Sequence, residues 1–175
     1  MIYTPLICFV LTEMSISDLL VPNNYQLYVK KVPCYASRQV TGNGAATTIA
    51  VAGTPVPADW TGNVASVTSD WVAAAAPSTR LTYQGAVNGT FLINLSIAGS
   101  PTAGPKNVFH TILKDGAPLS AVIESYQEAT SQYSVVSLSQ VVEISYGSYI
   151  EVGVGNASDA TSVIDRTGMI TITCI

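Results

Sequence analysis

The sequence predicts an all-β sandwich, and three observations carry that prediction. From residue 80 onward, short apolar–polar phrases succeed one another: Arg80–Tyr83, Thr90–Ala98, Val108–Lys114, Ser134–Leu138, Ile150–Val154 and Met169–Ile175. The segments between them are rich in Gly, Pro, Asn and Asp, the residues that turns select. Only Glu124–Glu128 shows helical spacing of carboxylates, and a segment that short cannot hold a helix alone, so it reads as a strand edge and loop.

The elements can be justified in chain order. Residues 1–36 form an apolar, tyrosine-containing arm. Ser15–Asp18 caps at most one turn through Leu19 and Leu20, which Pro22 ends. Asn23 and Asn24 mark a turn, and Tyr25–Val32 alternates as a strand. Two readings of the arm stand side by side: it docks on a neighbouring subunit, or its strand completes the sandwich of its own chain. Residues 37–175 are the sandwich domain. Its first part, up to residue 79, is rich in Ala, Thr, Gly and Val, with a turn at Thr41–Gly44 and a short strand at Thr47–Val51. Pro55, Pro57 and Gly62 interrupt the next stretch, and Trp60 and Trp71 read as core or interface anchors. Within Thr90–Ala98, Phe91, Ile93, Leu95 and Ile97 point one way while Leu92, Asn94, Ser96 and Ala98 point the other. Lys114-Asp115-Gly116 is the strongest hairpin signal, because Asp-Gly supplies the positive φ angles of a type I′ turn.

Composition narrows the function. Of the 175 residues only 10% are charged while 48% are hydrophobic, against about a quarter charged in ordinary globular domains. Much of the surface is therefore expected to be covered by other subunits; the competing reading is the preference of β-rich chains for Thr and Val over Lys and Glu. The net charge is −4, and Lys30, Lys31, Arg38, Arg80, Lys106, Lys114 and Arg166 are scattered. No cationic stripe exists to displace phosphate counterions or grip an anionic bilayer, so neither nucleic acid nor membrane is an expected partner. Met1–Leu11 lacks a basic n-region and contains Pro5, which argues against a signal peptide, and Met14 offers a second start.

Recognisable chemistry is sparse. Cys8, Cys34 and Cys174 lie far apart and His110 is the single histidine, so no zinc site and no other cofactor is expected. The thiols read as small buried hydrophobes, or as one disulfide and one free thiol if the protein matures outside a reducing cell. A Ser–His–Asp arrangement would have to use His110, which lies in an apolar strand with no evident partner. Glu124 with Glu128, or Asp159 with Asp165, are formal carboxylate pairs whose separation sequence does not define. The expectation is a protein that is not an enzyme. Three Asn-x-Ser/Thr sites, at Asn88, Asn94 and Asn156, match the glycosylation pattern but are common by chance here, and none is read as modified.

The C-terminal hundred residues resemble the jelly-roll domains of the C1q and tumour-necrosis-factor superfamily. The pieces that carry the resemblance are Tyr83–Ser96, the hairpin Thr111–Gly116, the strands and glycine turn from Val135 through Val142–Val152, and the final Gly168–Thr173. Gly147-Ser148 stands where the family commonly has Gly-Asp, so no calcium ligands are carried over, and there is no collagen-like stalk. Met14–Tyr25 looks like the short anchoring arms of virion proteins of large DNA viruses and phages. The resemblance implies a homotrimeric C1q/TNF-like jelly roll acting as a capsid decoration, cement, head-fibre or spike protein on the virion surface, assembled in the host cytoplasm. Its arm, through Ile16, Leu19, Leu20, Val21 and Tyr25, would grip the major capsid protein or another virion subunit. Loops bearing Tyr126, Tyr133, Asn156 and Asp159 would suit a host-surface glycan or receptor in the alternative of a fibre tip. Two further alternatives are a single jelly-roll penton-type protein, which predicts pentamers, and a secreted C1q-like module, which predicts export.

Overall fold

A computed structural model describes residues 34–42, 44–76 and 78–175. The twelve strands among them are β1 (Tyr35–Val40), β2 (Ala46–Thr47), β3 (Val56–Pro57), β4 (Val64–Val67), β5 (Trp71–Ala73), β6 (Leu81–Tyr83), β7 (Gly89–Pro101), β8 (Lys106–Lys114), β9 (Ala117–Gln127), β10 (Ser134–Ile144), β11 (Tyr149–Asn156) and β12 (Val163–Cys174). No described residue is helical. The expected strand Tyr25–Val32 lies outside the described residues. β1 takes in Tyr35 and Ala36, which the sequence reading groups with the arm.

Two antiparallel six-stranded sheets result. The first has the order β10-β7-β12-β1-β4, with β2 also on β12; the second has the order β5-β6-β11-β8-β9, with β3 also on β11. Consecutive strands repeatedly fall in different sheets, so the faces must pack on each other to bury what period-two alternation puts inside. Phe91, Ile93, Leu95 and Ile97 of β7 are all buried, as their alternation requires, and meet Ile150, Val152 and Val154 of β11 and Ile170 and Ile172 of β12 in one core. Trp71, Tyr83 and Phe91 close one end of it, with ring centroids 5.1–5.4 Å apart, in the tilted and edge-to-face geometry that aromatic quadrupoles favour.

Local chemistry sets the strand connections. The β8–β9 hairpin turns through Asp115 (φ 53°) and Gly116 (φ 80°), the two left-handed positions of the expected turn. β9 then runs eleven residues, well beyond what the sequence marks as a strand edge. On the outward side of the second sheet, Phe109 lies directly over Gly155, where an added Cβ would stand 2.2 Å from the ring. That glycine lets a large ring be buried on a face whose edge strand β9 is open to solvent.

Candidate assembly interface

One face of the sandwich is unusually bare of charge. On the outward side of the first sheet the register aligns Ser137, Ser96, Met169, Gln39 and Val64 in one row. The next row is Ser139, Asn94, Thr171, Ser37 and Ser66, and the third is Val141, Leu92, Thr173 and Tyr35. None of these residues is ionisable apart from the phenol of Tyr35. Val64, Met169 and Val141 are 62%, 45% and 57% exposed, and Val135 at the end of β10 is 68% exposed. With no charge to strip of water, this face costs less to bury than a charged one, and depletion of charge is what marks the core of an interface.

The side where β9 and β10 run at the edges of their two sheets is the second feature. Leu119 of β9 and Val136 and Leu138 of β10 point inward, yet each is only partly covered. Lys114 Nζ reaches across to the Glu143 carbonyl at 2.8 Å, and Gln140 Nε2 to Ser120 Oγ at 3.4 Å. The first bond ties β8 to β10 and the second bridges the edge strands β9 and β10, and neither seals the apolar side chains between them.

The loop end of the sandwich holds part of the expected receptor set. Tyr126 and Tyr133 are 60% and 57% exposed and border one shallow polar hollow with Gln127, Glu128, Ser131 and Gln132. Gln127 is buried; with its amide turned to satisfy both ends, it donates to the Gln132 carbonyl at 3.1 Å and accepts from the Ser134 N–H at 3.2 Å, shaping the β9–β10 loop. Asn156 and Asp159 belong to the neighbouring β11–β12 loop and do not join that hollow. Asn156 is fully buried: Nδ2 donates to Asp159 Oδ1 and the Thr161 carbonyl, both at 3.1 Å, while Oδ1 accepts from Ser158 N–H at 2.9 Å. It builds its loop from inside and offers a ligand nothing. Asp159 pairs with Lys106 Nζ at 2.7 Å; that hydrogen bond, then those from Thr161, pull its pKa down to about 2. Ile16, Leu19, Leu20, Val21 and Tyr25 lie outside the described residues.

Sequence reasoning missed the partner of His110. Its Nε2 lies 2.9 Å from Asp165 Oδ1, and Trp60 Nε1 donates to Asp165 Oδ2 at 2.8 Å, with all three side chains buried. Gly99 makes the room, since a Cβ there would stand 2.9 Å from Asp165 Oδ1. A shift of register between Asp165 and Thr167 turns Asp165 inward, while Gly168, Ile170 and Ile172 keep the inward phase beyond it. The Asp159–Asp165 pairing is thereby excluded: one carboxylate is on the surface with Lys106, the other inside with His110. His110 Nδ1 has no hydrogen-bond partner among the described residues. Arg38 and Glu151 are also buried: the Arg38 guanidinium donates to the Ser78 and Ala74 carbonyls, and burial lowers its pKa, while Glu151 pairs with Arg80 at 3.1 Å.

No family model and no curated protein matches the chain. Solved structures do. PRD1 vertex protein P5 superposes with a TM-score of 0.51 at 15% identity, over 81% of this chain and 96% of that one. The globular domain of zebrafish complement 1qA gives 0.53 at 13% identity, over 79% and 94%. Eiger TNF from S. frugiperda gives 0.52 at 9% identity, over 82% and 94%. Two packed antiparallel sheets with this strand order, matched along nearly the whole length of three such domains, make the described part of the chain a C1q/TNF-like jelly roll.

Proposed function

We propose that this chain is a structural protein of a virus particle, a homotrimeric jelly roll that decorates, cements or projects from the capsid and is held there by its N-terminal arm. The uncharged outward face of the first sheet is the observation that carries the reading, with the half-covered β9–β10 edge as its complement. An edge seated on a face is a heterologous contact, and such contacts give a ring when the rotation between copies closes. The C1q/TNF resemblance favours three members, and PRD1 vertex protein P5 favours a place on a particle. The mechanism is binding energy alone, with no chemistry assigned to His110 or to any carboxylate.

Met169→Lys tests the interface. It sets an ammonium in the middle of the uncharged face, where burial against a neighbour without a partner is costly. Light scattering on a sizing column should give three times the 18.3 kDa chain mass for the wild type and a single chain for the variant, with the same circular dichroism. A wild-type monomer overturns the reading, and a pentamer transfers it to the penton-type alternative. The exposed Tyr126 and Tyr133 beside one polar hollow favour glycan recognition as a second role. A glycan array with Tyr126→Ala and Tyr133→Ala reports on it, and equal signals for wild type and variants remove it.

A further inference from the structure

The inward row of the first sheet that carries Phe91 continues across β12 and β1 as Cys174 and Cys34. Cys174 is in register with Phe91, Thr173 is in register with Tyr35, and the Cys174 N–H donates to the Cys34 carbonyl at 3.1 Å. The two cysteines therefore stand opposite each other on neighbouring antiparallel strands, with side chains on the same face. That face is the core side, since Ala36, Ile170 and Ile172, at two-residue steps from them, are fully buried. Hydrogen-bonded pairs in such ladders have Cα atoms about 5.5 Å apart, inside the roughly 4.4–6.8 Å that a disulfide spans. Both thiols are free. Cys34 immediately precedes β1 and Cys174 is the last residue of β12.

We propose that Cys34 and Cys174 form a reversible cross-strand disulfide that clasps the residue before β1 to the last residue of β12. Cys174 is the more accessible thiol and Cys34 is buried, accepting a hydrogen bond from Trp71 Nε1 at 3.1 Å. Oxidation then runs through Cys174 first. Its thiolate attacks a low-molecular-weight disulfide such as oxidised glutathione, the S–S bond breaks, and one glutathione leaves as a thiol after taking up a proton. The Cys34 thiolate attacks the Cys174 sulfur of the mixed disulfide and expels the second glutathione. The protein loses two protons and two electrons, and the glutathione disulfide receives them to become two thiols. Burial, and after it the nearby Asp70 carboxylate, raise the Cys34 pKa despite the Trp71 bond, so closure quickens as pH rises. The inference goes beyond the virion reading and does not depend on it.

The test uses the full chain carrying Cys8→Ser, equilibrated in glutathione buffer as oxidising as a secretory compartment. Thiol titre in denaturant should fall from two per chain to none, with the mass lower by two hydrogens. A proteolytic digest should show the Cys34 and Cys174 peptides joined only without reductant, and the urea midpoint should rise. Adding Cys174→Ser should abolish the link and the rise in midpoint. The non-reduced chain should run as a monomer on a denaturing gel. Two free thiols persisting at equilibrium, a link between chains, or a wild-type link from Cys8 to either cysteine would overturn the proposal.

Discussion

Asp165 shows how a single carboxylate organises the interior. It accepts from both Trp60 and His110, bringing a loop residue, a β8 residue and the irregular start of β12 to one point. Asp165→Ala leaves two buried donors without acceptors, and each such loss costs about 1–3 kcal/mol. Urea unfolding should register a destabilisation of at least one such loss, larger than for Asp165→Asn, whose amide oxygen still accepts. The network was hidden in the sequence because His110 and Asp165 are 55 positions apart, and nothing local distinguishes a packed strand histidine from a bonded one. Arg38 obscured β1 in the same way. An arginine at an inward position spoils the alternation of Tyr35–Val40, and only the carbonyls of Ser78 and Ala74 explain why it is tolerated.

At the scale of elements, strands bounded by strong turns were legible and the others were not. The long strands β7, β8, β11 and β12 all grow from phrases visible in the sequence, and the Asp115-Gly116 turn is where its chemistry puts it. β3, β4 and β5 are two to four residues long and lack a repeating pattern to detect. β9 escaped for a different reason: as an edge strand, its inward positions are half covered and include Ala121 and Ser125, so contrast between its faces is low. Of the expected loop residues, Tyr126 and Tyr133 reach the surface, but Asn156 is spent on the β11–β12 loop. That loop has a pH signature. Asp159 has its pKa depressed to about 2 from 3.8, so its stabilisation is fully present above pH ~4 and is lost as pH falls through about 2. Amide exchange at Asp159 and Thr161 should quicken over that window in the wild type. Asp159→Asn should show no such acid step.

For the whole molecule, low charge was legible in the composition, but composition could not say which face was bare. That required the register, since three rows of uncharged residues come from five strands spread over the chain. The proposed division of labour gives a direct expectation. A chain lacking residues 1–24 should still fold and trimerise, as measured by circular dichroism and light scattering, yet fail to co-sediment with the particle. A deleted chain that is monomeric would refute the assignment of assembly to the sandwich and attachment to the arm.

The central place of β12 in the first sheet, between β7 and β1, has a consequence in time. Synthesis runs from the N-terminus, so β1 and β7 emerge long before the strand that joins them. Until residues through Cys174 are available, each presents a row of unpaired peptide groups, the template on which foreign strands add. The native sheet therefore closes only after nearly all of the sandwich has been made, and much of its pairing is long-range in sequence, which slows folding. A nascent chain stalled within β12 is the species most exposed to aggregation, and chaperone dependence during synthesis should fall sharply once that strand is free.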